Sequence, residues 1–132
     1  GVAHFYTGTL GRRIVDHVQR LGGFITAEDM RTNAPTWITP ISVPFRGYRV
    51  WELPPNNQGV AALEMLRILE PYDLKAMGHN SPAYLHHLIE AKKLAYADLD
   101  RFVGDADHLQ RTAEQMLNDT FISARRQLLN PT

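Results

Sequence analysis

His86, His87 and Glu90 fall within one turn of a periodic stretch, and His86 and Glu90 stand at i, i+4, a spacing that offers two metal ligands on one helical face. The pattern lacks a second histidine four residues after the first. Packing or capping by the imidazoles, with Glu90 paired to Lys93 or a nearby arginine, is the favoured reading. Asp98, Asp100, Asp105 and Asp107 suggest calcium, but Phe102 and Val103 occupy places where a calcium loop needs an oxygen ligand and a glycine. A solvated helix face and loop is expected there. Gly22-Gly23 precedes no lysine and Gly8 to Gly11 falls inside a predicted helix, so no phosphate-cradling loop is present. Ser42, Ser81 and Ser123 fall in a strand, at a cap and in a helix, none of them in a glycine-flanked elbow. Asn56-Asn57-Gln58, where a strand gives way to a helix, is the most polar uncharged cluster. Turn and cap duty is expected of it, with lining a site as the alternative. No catalytic, substrate-binding or metal-ligating residue is therefore assigned, and no cofactor is expected.

These residues must be positioned by mostly helical elements. Tyr6, Leu10, Ile14, Val18 and Leu21 recur every three or four residues, predicting one helix over 5–21 with this stripe buried and Gly22-Gly23 as its left-handed stop. Thr26-Ala27-Glu28-Asp29 resembles a capping sequence opening a short helix. Pro35, Pro40 and Pro44 exclude helix, and Trp37-Ile38-Thr39 and Ile41-Ser42-Val43 suit a pleated surface. Phe45-Arg46-Gly47 turns the chain into Tyr48–Leu53, a hairpin with its proline-bearing strand at an edge. Val60, Leu63, Leu66 or Arg67, and Ile68-Leu69 give the next helix its face before Pro71. Ser81-Pro82 caps a long helix carrying Leu85, Leu88, Ile89, Ala95, Tyr96 and Leu99, closed by Gly104. Thr112 to Gln115 has capping-box spacing, and a final helix is expected up to Asn130-Pro131. Two strands alone make a marginal sheet, and Trp37, Phe45, Tyr48 and Trp51 crowd on or beside the hairpin, so it is expected to need neighbours.

The chain has 132 residues, enough for one compact domain. Leu, Ile, Val and Phe number 34, above the composition at which disorder is expected. Lys+Arg and Asp+Glu balance at 14 each, so no basic face for a nucleic-acid backbone is on offer. The absence of cysteine excludes disulfides, a thiolate nucleophile and a cysteine zinc site. Apolar runs are far short of the ~18 residues a spanning helix needs, and no signal sequence opens the chain; a soluble chain without membrane partners is expected. Gly1 rather than methionine stands first, which fits processing or a segment of something longer.

Taken in order, the motifs are Phe5-Tyr6-Thr7-Gly8; Gly22-Gly23-Phe24-Ile25-Thr26-Ala27-Glu28-Asp29; Pro40 with Arg46-Gly47-Tyr48-Arg49-Val50; and Pro54-Pro55-Asn56-Asn57-Gln58-Gly59. Ile68-Leu69-Glu70, His87-Leu88-Ile89-Glu90-Ala91-Lys92, Ala95-Tyr96-Ala97-Asp98 and Gly104-Asp105 follow. This order resembles the gamma-glutamyltranspeptidase family, specifically the later part of its large subunit, over about residues 1–108. The resemblance implies an α+β fragment, mostly helical with one β-hairpin, with residues 1–132 as a single segment of an N-terminal nucleophile hydrolase α-β-β-α sandwich. Such enzymes are made as precursors that cut themselves, and the new N-terminal threonine of the small subunit attacks the gamma-glutamyl carbonyl. Its free α-amine can act as base and backbone amides hold the oxyanion, after which water or an amine acceptor releases the glutamyl group.

None of the nine threonines, Thr7 to Thr132, has the family's Thr-Thr-His-like setting, so no catalytic residue carries over. The implied partners are the rest of the precursor, including the small catalytic subunit, and a gamma-glutamyl substrate such as glutathione in the parent enzyme; the fragment alone is expected to be inactive and to self-associate. Periplasmic, secreted and cytoplasmic locations all remain open. Asn56-Asn57-Gln58-Gly59-Val60 stands where many members have Pro-Ser-Ser-Gly-Gly, Leu99 replaces an arginine after Ala-Asp, and Ala106 replaces a proline after Gly-Asp. These departures bear on substrate rather than fold. The alternatives are a related beta-lactam side-chain acylase and a free-standing interaction module.

Overall fold

The computed structural model describes residues 1–130, apart from the side chain of Ala106. They divide into two units, Gly1–Trp37 and a second beginning at Ile38. The first holds α1 (Val2–Tyr6), α2 (Thr9–Arg20) and α3 (Ala27–Thr32). The helix expected over 5–21 is thus broken. Thr7 and Gly8 both donate their amides to the Ala3 carbonyl, and the Thr7 hydroxyl adds a third bond to it at 3.0 Å, which closes α1 before α2 starts. Gly11 and Val15 are the buried residues of α2, whereas Leu10 and Leu21 of the expected stripe are exposed and Ile14 and Val18 half-buried. The chain turns left-handed at Gly22, φ 79°, as expected. Thr26 and Asp29 form the capping box that opens α3.

In the second unit β1 (Ile41–Phe45) and β2 (Tyr48–Glu52) pair antiparallel, with Val43 opposite Val50 and Phe45 opposite Tyr48. Arg46 (φ 50°) and Gly47 (φ 85°) make the two-residue left-handed turn that matches strand twist. Pairing starts only at Ile41, so Trp37-Ile38-Thr39 stay outside the sheet. Helix α4 (Gly59–Leu69) packs against both strands and against α5 (Pro82–Phe102), α6 (Ala113–Leu117) and α7 (Asp119–Arg126). A short 3₁₀ turn, Ala106–His108, lies between α5 and α6. One core cluster gathers Val60, Phe102, Ala113 and Met116; another gathers Ile68, Leu69, Ala91 and Leu129. Burying side chains of this size stabilises by about 1.5–3 kcal/mol each for the larger ones, which is why α4, apolar on most sides, sits at the centre.

Two expectations about the helices fail here. The final helix is two helices, because Asn118 leaves helical geometry and accepts a bond from the Phe121 amide at 2.9 Å as the cap of α7. The second of them ends at Arg126, short of the expected end at Asn130-Pro131; Pro131 itself lies outside the described residues. On α5 the buried line is His87, Ala91, Ala95, Asp98 and Phe102, while Leu85, Ile89 and Tyr96 are exposed. The small alanines let α4 approach, so packing selects that face over the one with larger apolar side chains. Among the described residues no helix is long and apolar enough to cross a membrane.

Candidate functional site

The strand-to-helix corner from Glu52 to Val60 is shaped by close approach. A Cβ on Gly59 would lie 2.7 Å from Glu52 Cβ and 3.0 Å from the Leu53 carbonyl oxygen, so the chain reaches α4 only with glycine there. Asn57 Oδ1 accepts from the Gly59 amide at 3.2 Å, and the Asn57 amide donates to the Pro54 carbonyl. Asn57 therefore performs the expected turn duty. Asn56 and Gln58 are exposed and line an open depression of about 330 Å³ with Tyr96, Leu99, Asp100 and Val103.

Below this corner α4, α5 and α7 bring three ionisable side chains together. Glu64 is fully buried and Asp98 nearly so. Arg125 binds Asp98 through both edges of its fork, Nε to Oδ2 at 2.5 Å and Nη2 to Oδ1 at 2.7 Å. Neither oxygen of Glu64 has a hydrogen-bond donor among the described residues. Burial, followed by the hydrogen bond and charge of Asp98, pushes the Glu64 carboxyl up to about 9 against the opposing pull of Arg125. Arg125 is itself raised, chiefly by its bond to Asp98. The solvated face expected at Asp98 is thus wrong for that residue: its carboxylate points at Arg125, although Asp100, Asp105 and Asp107 are exposed as expected. Sequence reasoning missed Glu64, yet a signal exists. It sits four residues after Val60 and four before Ile68, in the middle of the apolar face.

The histidines do structural work in this geometry. His87 is buried, its Nδ1 within 2.8 Å of the Ala83 carbonyl oxygen and its ring edge-on to Tyr72. His86 Nε2 lies 2.6 Å from the Asn130 carbonyl oxygen, and Lys93 donates to Glu90 at 2.7 Å. The two histidines and Glu90 are engaged separately rather than converging on one point. Ser81 caps α5 by accepting from the Tyr84 amide, Ser42 accepts from Arg49, and Ser123 is exposed on α7. Thr26 and Thr112 are helix caps, and Thr7 and Thr32 bond the carbonyls of Ala3 and Glu28; Thr132 lies outside the described residues. No group of these side chains pairs a nucleophile with a base.

The geometry defines an α+β segment whose second unit packs α4 on a hairpin and α5, α6 and α7 on α4, with a buried acid pair between the helices. The model of the family described as gamma-glutamyltranspeptidase matches residues 1–132, and the chain belongs to that family. It is 37% identical over 121 residues to the glutathione hydrolase-like YwrD proenzyme of Bacillus subtilis, covering 92% of this chain and 23% of that protein. Cephalosporin acylase from Bacillus halodurans superposes with a TM-score of 0.83 at 37% identity, covering 97% of this chain and 24% of the other. Gamma-glutamyltranspeptidase from Helicobacter pylori gives a TM-score of 0.83 at 28% identity, covering 99% of this chain and 38% of the other. The chain spans about a quarter of the length of the YwrD proenzyme. The mostly helical α+β class with a single hairpin, expected from sequence, is the class observed.

Proposed function

We infer that residues 1–132 act as one scaffold segment, from the later part of the large subunit, of an enzyme that cleaves gamma-glutamyl amides such as glutathione. The family match along the whole chain carries this reading. The nucleophile is a threonine outside this chain, freed as an N-terminus when the precursor cuts itself. Its hydroxyl oxygen bonds to the gamma-glutamyl carbonyl carbon, the hydroxyl proton passes through the α-amine to the departing amine, and water or an acceptor amine then takes the glutamyl group. This segment supplies no catalytic, substrate-binding or metal-ligating residue. Its hairpin extends a larger sheet and its helices cover that sheet, with the remainder of the precursor and the small catalytic subunit as partners.

The free hairpin supports this assignment: among the described residues its two strands have no further sheet neighbours, and Tyr48 and Trp51 are exposed. Intact mass and a peptide map of the native gene product test it, together with release of a chromogenic amine from a gamma-glutamyl anilide. A longer chain cut before a threonine, active on the anilide, is the expected result. A native chain ending near Thr132 without activity sinks the enzyme and leaves an interaction module. The likeness to cephalosporin acylase favours a second substrate, a beta-lactam side-chain amide on the same scaffold. Faster side-chain release from a cephalosporin than from the anilide would establish that alternative.

A further inference from the structure

Glu64, Asp98 and Arg125 come from three different helices and meet where both carboxyl groups are buried and the arginine is half-buried. Two carboxyl groups share one guanidinium. Arg125 commits Nε and Nη2 to Asp98, and the two oxygens of Glu64 are left without a donor. An ionised carboxylate buried in that position, next to another carboxylate, is far costlier than a protonated one. A protonated Glu64 resolves the shortage by donating its own O–H to the Asp98 carboxylate, which already accepts from Arg125.

The other charged groups near α4 are engaged elsewhere or exposed, except the buried Nε of Arg126, which has no hydrogen-bond partner among the described residues. Arg126 of α7 donates Nη2 to the Arg67 carbonyl, and Arg67 pairs with Glu70 and Asp119. Glu52 of β2 lies against Gly59 at the opposite end of the helix, and Glu114 of α6 is exposed. On α5, His87 bonds the Ala83 carbonyl, Glu90 takes Lys93, and Lys92, Asp100 and Arg101 are exposed; β1 has no ionisable side chain. Asp98 and Arg125 are the charges that act on Glu64.

We propose that Glu64, Asp98 and Arg125 form a proton-operated clasp holding α7 on α4 and α5, in which neutral Glu64 is the donor and its ionisation loosens α7. When α7 lifts away, Glu64 meets water and returns to the ordinary value of 4.5, against about 9 when docked. The docked state therefore binds one more proton between those values. Docking is tightest below the lower value, weakens by up to about tenfold per pH unit across the window, and levels off above the higher one.

Native-state hydrogen exchange of residues 119–130 in the intact gene product, corrected for intrinsic exchange and followed from mildly acidic to mildly alkaline pH, measures that slope. The opening constant is expected to climb steeply with pH in the unmodified protein and to be flat in Glu64→Gln, whose amide can donate to Asp98 but cannot ionise. At neutral pH the infrared spectrum should contain a protonated-carboxyl band that Glu64→Gln removes. Equal slopes in the two proteins, or no such band, overturns the clasp. Should Glu64→Gln fail to fold, Asp98→Asn gives an independent reading: Arg125 then draws Glu64 into its ionised form, so the band disappears and the slope flattens. Persistence of the band in Asp98→Asn equally overturns it.

Discussion

The hairpin and the helix that follows it lie within one stretch of chain, yet they have opposite relations to water. Helix α4 buries seven of its eleven residues, a carboxyl group among them. On β2, Tyr48 and Trp51 are exposed, and among the described residues neither strand has a second neighbour. A helix that encloses even an acid has found its partners in these residues; a strand pair that displays its aromatics has not. The difference separates what the segment stabilises by itself from what it offers to the rest of a larger protein.

The largest effect is expected where the helical side of this contrast is broken electrostatically. Arg125→Leu removes the cation from two buried carboxyl groups and should cost about 3–5 kcal/mol, read by urea unfolding of the intact gene product. A loss under about 1 kcal/mol would mean that water reaches Asp98 and that the region is no drier than the hairpin. Gly59→Ala acts at the seam between the two regions. The added methyl meets Glu52 Cβ at 2.7 Å and the Leu53 carbonyl at 3.0 Å, so the corner must open, at about 1–3 kcal/mol. Thermal unfolding and the protection of the α4 amides should fall together; unchanged stability would show that the corner has room the geometry denies.

Helix starts were legible in the sequence because they are local. Thr26, Ser81 and Thr112 each accept a bond from a backbone amide three residues on, and that spacing is written in the chain itself. The hairpin turn was legible for the same reason, since the left-handed backbone of Arg46 and Gly47 is set locally, although the Arg46 side chain also donates to the Tyr72 carbonyl. The breaks were less so. Asn118 looks like one more polar residue in a helical run until Met116 is buried under α4 and the chain must change direction to bring Arg125 to Asp98. The buried line on α5 was read only in part: Ala95 is buried as expected, but hydrophobicity ranks Leu85 and Ile89 above Ala91, whereas close helix approach favours the smaller side chains. The family was readable in the order of motifs, while the acid pair, set by contacts between α4, α5 and α7, was not.

Trp51→Ser should have the smallest effect on these residues taken alone and is the sharpest test of the hairpin side. Trp51 is 57% exposed, so its truncation in the 132-residue chain should shift stability by only about 0.5 kcal/mol, the range of surface substitutions. On the proposed scaffold reading, in which the hairpin extends a larger sheet in the intact gene product, the same change removes a buried indole and should cost about 3 kcal/mol. Acrylamide quenching of tryptophan emission reads the same difference without a mutation, efficient in the short chain and weak in the long one. Equal responses in both would leave the hairpin with no partner in its own polypeptide. Its unpaired edges would then have to be covered from outside, by a second copy or another protein, and the scaffold reading would give way to the interaction module.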